Sequence, residues 1–166
     1  MKNDVNLVSE FSTNGIYTLL LFVSEEVSLT VGKLGKQNFP RGYYSYTGSA
    51  LGKGATSLKH RIARHLRKQK PRFWHIDYLL ADENVSVEAV LAAETNKKME
   101  CYINSHIKGI EGAEVPVKGF GASDCRKNCG SHLLYFPEIG NADCLVQKLV
   151  RHLRSVSGIL SVRVVH

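Results

Sequence analysis

No aspartate or glutamate occurs between Val27 and Ile76, a stretch that carries eleven of the chain's 22 lysines and arginines. The other 116 residues hold 11 basic and 15 acidic groups, a net of −4, so the formal +7 of the whole chain is +11 in one window against a mildly acidic remainder. That distribution excludes a preference for cationic partners and predicts attraction to polyanions, nucleic acid first. Long apolar runs are also missing. The longest lies around Ile16–Val23, far short of the roughly 20 residues that a membrane span needs. No apolar segment follows Lys2, so the reading expects neither export nor a membrane partner. Four cysteines (Cys101, Cys125, Cys129, Cys144) in 166 residues make no disulfide framework, and a reducing, cytoplasmic location is expected. Repeats and low-complexity tracts are absent. The length fits one domain, 1–166.

What is present reads as α+β, a small antiparallel or mixed sheet flanked by helices. Gly15–Val23 has the length and β-rich content of a buried strand. Ser28–Val31 is expected to be its hairpin partner across Ser24-Glu25-Glu26, and Gly32–Gly42 to be loop, broken by Gly32, Gly35, Pro40 and Gly42. Tyr43–Thr47 returns as a strand that ends at Gly48-Ser49-Ala50. A helix opens at Thr56 or Ser57, either of which can cap it. Its core stripe is Leu58, Ile62 and Leu66, with Arg61 and His65 at the edge and Arg64 and Lys68 towards solvent. Phe73–Leu80 alternates like a strand, placing His75 and Asp77 on one face. A strand Val85–Ala92 and a helix Glu94–Lys108 follow, then an irregular glycine-rich stretch, Val117–Ser131, and a short strand, His132–Phe136. A helix near Ala142–Ser155 and a strand near Ile159–Val165 form a packed C-terminal extension, 138–166.

The basic window also holds tyrosines and histidines that can act on a phosphate. Hydrolysis of a phosphodiester needs a base for the attacking water, a cation on the phosphoryl oxygens and an acid for the leaving oxygen. Gly15-Ile16-Tyr17, then Tyr46-Thr47-Gly48, then Arg61-xxx-His65, His75 and Glu100 can supply these in order. This ordered set resembles the GIY-YIG nuclease superfamily. The likeness extends through Gly42–Ala50, Arg61–Arg67, Trp74–Leu80, Glu100-Cys101, and Gly119–Cys125 to Ser131-His132-Leu133. It is similar there to an uncharacterised prokaryotic branch known mainly as a domain of unknown function. The resemblance covers roughly residues 13–137 and implies a β-β-α-β-α core. Two departures stand out. Threonine replaces isoleucine in the second motif, where the middle side chain should enter the core. The 28 residues between Tyr17 and Tyr46 exceed the spacing of the better-known nucleases, so Ser24–Gly42 is expected to form an enlarged hairpin insert.

Carried onto these residues, the resemblance implies a metal-dependent DNA endonuclease, acting on repair or recombination structures. Tyr17 would be the general base and Tyr46 would polarise water or phosphate. Arg61 would neutralise phosphoryl charge, His65 would relay a proton or bind phosphate, and His75 would assist. Glu100 would hold Mg²⁺ or Mn²⁺ completed by waters and phosphate. A phenol with an unperturbed pKa of ~10 needs a nearby cation to serve as a base, and Arg61 and the metal are expected to provide it. Arg64, Arg67, Lys68, Lys70 and Arg72 read as a phosphate-contacting face or as a merely solvated one. Asp77 either orients His75 or pairs with a basic group. Cys125-xxx-Cys129-xx-His132 offers three zinc ligands, with Cys101 or His106 as a fourth; the alternative is a pair of half-buried thiols. Ser123 and Asp124 can reach the site from the same loop. Gly48–Lys53 has one residue too few between its glycines for a P-loop. A non-catalytic nucleic-acid-binding module and a zinc-bound adaptor remain the competing readings. The residues alone do not choose DNA over RNA; the resemblance favours DNA.

Overall fold

The computed structural model describes residues 14–123, 125–127, 129–156 and 163–165. Asp124 and most of the strand expected at Ile159–Val165 lie outside the described residues. Gly15–Val23 (β1) is the central strand of a five-stranded antiparallel sheet. It pairs on one side with Gly42–Ala50 (β4) and on the other with Val85–Glu94 (β5). Leu133–Phe136 (β6) borders β4, and Arg163–Val165 (β7) borders β5. The sheet is buried on both faces, which is why β1 reads as a continuous apolar run rather than an alternating one.

One face packs Tyr17, Leu19, Leu21, Tyr44 and Tyr46 beneath Leu58–Leu66 (α1) and His75–Leu80 (α2). The other packs Ile16, Leu20, Leu91 and Leu134 against Glu100–Lys108 (α3) and Ala142–Arg154 (α4). In the extension, Leu145, Leu149 and Leu153 of α4 are buried in that second cluster. Among the described residues no helix is long and apolar enough to cross a membrane.

Four expectations need correction. Val27–Thr30 (β2) does not pair with β1. It pairs with Lys36–Phe39 (β3), inside the stretch expected to be loop. Both edges of β1 are already taken by β4 and β5, so the insert forms its own two-stranded hairpin. That hairpin buries Val27, Val31 and Phe39 over the first face. Residues 73–80 are not a strand: α2 occupies His75–Leu80, because the Asp77 carboxylate accepts the amides of Phe73 and Trp74 and caps a helical turn. Helix α3 starts at Glu100 and not at Glu94, since Glu94 is still paired with Gly15. Arg64 is not a solvent-facing side chain; Asp77 holds it, as described below. For α1, Ser57 is the cap, its Oγ accepting from the His60 amide.

Candidate functional site

The β1–β4 register brings the two tyrosines together. Tyr17 lies opposite Gly48 and Leu19 opposite Tyr46, so both phenols project from one sheet face, diagonally adjacent. The glycine of the second motif is dictated by this crossing. A Cβ on Gly48 would sit 2.5 Å from the Tyr17 hydroxyl, so any side chain there displaces the ring. Gly121, at φ +69°, likewise lets Tyr46 lie against its backbone, 2.9 Å from where a Cβ would be. Thr47 points to the opposite face, fully buried, and its hydroxyl bonds Thr18 at 3.0 Å. The departure from isoleucine is thereby satisfied by a threonine directly across the strand pair.

Helix α1 delivers His65 from above. The Tyr17 hydroxyl lies 2.8 Å from His65 Nε2, and both groups are buried. Burial pushes Tyr17 up to about 12, although the Arg61 guanidinium pulls the other way. The expected lowering of the phenol is therefore opposed by its own desolvation. Burial drives His65 down to about 3, with Lys70 adding to the effect. The resting pair is thus a neutral phenol and a neutral imidazole. Arg61 donates to the Ser49 carbonyl at 2.9 Å and lies 5.0 Å over the Trp74 ring. That anchor leaves most of its five N–H donors for a ligand. Nδ1 of His75 accepts from the Gly121 amide at 2.9 Å, and burial lowers the ring's pKa. The neutral ring must then carry its proton on Nε2.

Tyr17, Tyr46, Arg61, His75 and Glu100 line one cleft of about 510 Å³, while His65 lies buried behind Tyr17 and does not reach it. Ser123 and His132 complete it on one side, with Phe73 and Trp74 at the other. Glu100 is 8% exposed, and its Oε2 is buried without a hydrogen-bond partner. Oε1 lies 3.6 Å from Lys98 Nζ, a largely exposed side chain. Such a pair is worth about 0–1 kcal/mol, too little to keep the carboxylate from a divalent cation. A buried anionic oxygen in a polar cleft fits Mg²⁺ or Mn²⁺ coordination completed by water.

The basic run divides. Arg64 makes a bidentate pair with fully buried Asp77 at 2.7 and 2.9 Å. This settles Asp77's role: in α2 it lies roughly 200° around the axis from His75, so the two cannot share a face. Burial raises the Asp77 carboxyl, but Arg64 and two backbone amides outweigh it and hold the pKa below the usual range. Lys68 Nζ bonds the carbonyls of Leu80, Asp82 and Val85, and Lys70 bonds those of His65 and Arg67. Arg67 and Arg72 are exposed, Arg72 lying 5.7 Å from the Tyr78 ring centroid. Of the two rim aromatics, the sequence pointed to Trp74 within the basic window but not to Phe73. Phe73 is 77% exposed and Trp74 38%, with Arg64 over both rings. The adjacent Phe-Trp pair after a basic run was the available signal.

Beside the cleft, Cys101, Cys125, Cys129 and His132 converge, their ligand atoms all within 4.8 Å of one another. Cys101 is the fourth member. His106 instead packs edge-on against Tyr102. This Cys₃His group is able to bind a metal ion. A family model described as "Domain of unknown function DUF123" matches residues 16–155, a span that runs through α4. No curated protein and no solved structure matches the chain.

Proposed function

The chain belongs to the domain-of-unknown-function family DUF123, and from that premise we propose that it is a metal-dependent endonuclease of GIY-YIG type. Its substrate is DNA, with Glu100 as the residue that holds Mg²⁺ or Mn²⁺. The observation that carries this reading is the shared cleft. Two phenols from the sheet, a guanidinium from α1, an imidazole from α2 and the partnerless Glu100 oxygen from α3 border one cavity. The order and spacing of those residues along the chain add the resemblance to the nuclease superfamily.

When bound at Glu100, a divalent cation supplies positive charge that stabilises the phosphoryl oxygens and lowers the pKa of a neighbouring phenol or water. The chain's own groups do the rest. Tyr17 directs its hydroxyl hydrogen bond to neutral His65, the proton staying on the phenol, which leaves the phenol oxygen's lone pairs for an incoming water. Arg61, braced on Ser49 and Trp74, offers N–H groups to a non-bridging oxygen. His75, neutral with its proton on Nε2, is a donor for a phosphoryl or leaving oxygen. Outside the cleft, exposed Arg67 and Arg72 contribute salt-sensitive backbone affinity. Exposed Phe73 and Trp74 offer faces for unstacked bases, as branched or frayed structures present.

The high pKa of Tyr17 favours a second reading, a nucleic-acid-binding module whose site no longer hydrolyses. One experiment separates the two. Plain, nicked and branched duplex DNA are incubated with Mg²⁺ or Mn²⁺ and the parent, Glu100→Ala or Tyr17→Phe protein. Cleavage by the parent alone, with binding retained in both variants, supports the nuclease. Binding without cleavage by any of the three supports the module. Variants that cut like the parent would place any activity elsewhere.

A further inference from the structure

We infer that Cys101, Cys125, Cys129 and His132 hold a single tetrahedral zinc ion that fastens the start of α3, and with it Glu100, to the loop wall of the cleft. The three sulfurs lie 3.0–3.1 Å from one another, and His132 Nε2 lies 2.9 Å from Cys129 Sγ and 3.4 Å from Cys101 Sγ. Zinc–sulfur bonds of about 2.3 Å place tetrahedral sulfurs about 3.8 Å apart, so each thiol needs to move outward by only about 0.4 Å. That spacing admits one ion and is too small for an iron–sulfur cluster. Three thiolates and an imidazole form a soft, four-coordinate set with no position left open, which selects zinc over magnesium and marks a structural site.

A second observation is electrostatic. Three thiolates around a divalent ion leave one net negative charge, and Lys98, Arg126 and Lys127 line the same depression, Lys98 already facing the Glu100 carboxylate there, so Arg126 and Lys127 are the cations left for the cluster. Each thiol that binds releases its proton to solvent, so the cations stabilise the product of that step.

The ligands come from three separate places in the sequence. Cys101 directly follows Glu100 in the first turn of α3. Cys125 and Cys129 lie in an irregular segment whose backbone bonds include Cys125 N to Ala122 O, Ser131 N to Cys129 O and Gly119 N to Gly130 O. His132 precedes β6, lines the cleft, and gives its carbonyl to the Thr47 amide. An ion shared by the four links α3, the loop and the tyrosine-bearing strand pair. The claim that it positions Glu100 rests on the nuclease reading; the claim that it binds does not.

The test uses the full chain purified without chelator. Elemental analysis should find about one zinc per chain, lost in Cys101→Ser and Cys129→Ser and kept in Cys144→Ser and Glu100→Gln. Cobalt exchanged into the site should show thiolate-to-metal charge-transfer absorption. Zinc-free parent protein with reduced thiols, or a disulfide among Cys101, Cys125 and Cys129, overturns the inference. If the cysteine variants do not fold, the zinc content of the parent still decides. For positioning, stripping zinc should abolish cleavage despite added Mg²⁺ and readdition should restore it, while Glu100→Gln stays inactive with zinc bound. Equal cleavage with and without zinc refutes the positioning role. A zinc-loaded chain that cuts no DNA fails the nuclease reading and leaves the zinc site standing.

Discussion

The tyrosine pair lines the cleft and the thiol cluster lies beside it, with Glu100 and His132 shared, but the two are assembled by different forces. Tyr17 and Tyr46 are fixed by β1–β4 register and by the glycines they lie across, and His65 by its place in the buried stripe of α1. These groups have partners without any ligand. The thiols come from an irregular segment and a helix end, and their sulfurs meet one another and His132 rather than an extended hydrogen-bonded ladder. A sheet can preorganise a site with hydrogen bonds and packing already spent on folding. On the zinc inference, the ion does the same for the loop. Glu100 belongs to both regions, reached by the cleft through its carboxylate and by the cluster through its neighbour Cys101.

The sharpest way to break this contrast is chemical. Tyr17→Phe keeps the ring against Gly48 and removes only the hydroxyl. On the nuclease reading it should lower cleavage by about 10²- to 10⁴-fold, the usual worth of a positioned base, with metal content unchanged and stability reduced by about 1–3 kcal/mol, because the buried His65 Nε2 loses its partner. A full-rate Tyr17→Phe protein would leave the phenol a packing role alone.

A different region gives the largest stability effect. Asp77→Ala strands Arg64 beside a fully buried site and should cost about 3–5 kcal/mol in denaturant unfolding. It also uncaps α2, which carries His75. Next comes Gly48→Ala, whose Cβ meets the Tyr17 ring at 2.5–2.6 Å. About 1–3 kcal/mol of overpacking is expected, with loss of cleavage as the phenol shifts. Gly140→Ala, facing open space, is the control and should change neither. Of similar size, but on binding rather than folding, is the effect of Phe73→Ala. The substitution should weaken single-stranded or branched DNA by about 1–3 kcal/mol and plain duplex by less, in fluorescence anisotropy at fixed salt. Equal weakening on both substrates would assign Phe73 no stacking role.

How far these regions can be read from sequence follows the same division. The register-built half was legible. Motif glycines, the strand-length run at Gly15–Val23 and the Arg61-xxx-His65 spacing are local patterns that map directly onto β1, β4 and α1. What escaped was set by tertiary partners. Alternation over Phe73–Leu80 imitates a strand because under two helical turns give no reliable period, and the deciding Asp77–Arg64 pair spans 13 residues. The basic run looked uniform, yet Lys68 and Lys70 are consumed by backbone carbonyls that no pattern announces. Cys101 and His106 both lie in α3, and only folding chooses Cys101 as the fourth ligand.

The smallest expected effect, read as a slope per pH unit, concerns pH and isolates the preorganised half. His65 is buried neutral, its folded pKa of about 3 lying well below the ordinary 6.5. Between those values the unfolded chain binds more protons than the folded one, so stability rises with pH across that window. It is fully present above pH 6.5 and is lost as the pH falls towards 3, at no more than about 1.4 kcal/mol per pH unit. Asp77, depressed below the usual carboxylate range, adds a loss of the same sign at the acid end. His65→Gln keeps an acceptor for the Tyr17 hydroxyl but cannot titrate, so its unfolding free energy should be flatter than the parent's between pH 6.5 and about 4.5. Parallel profiles would mean that His65 takes up its proton in the folded state, and the Tyr17–His65 contact would then be looser than the sheet-built half of the comparison requires.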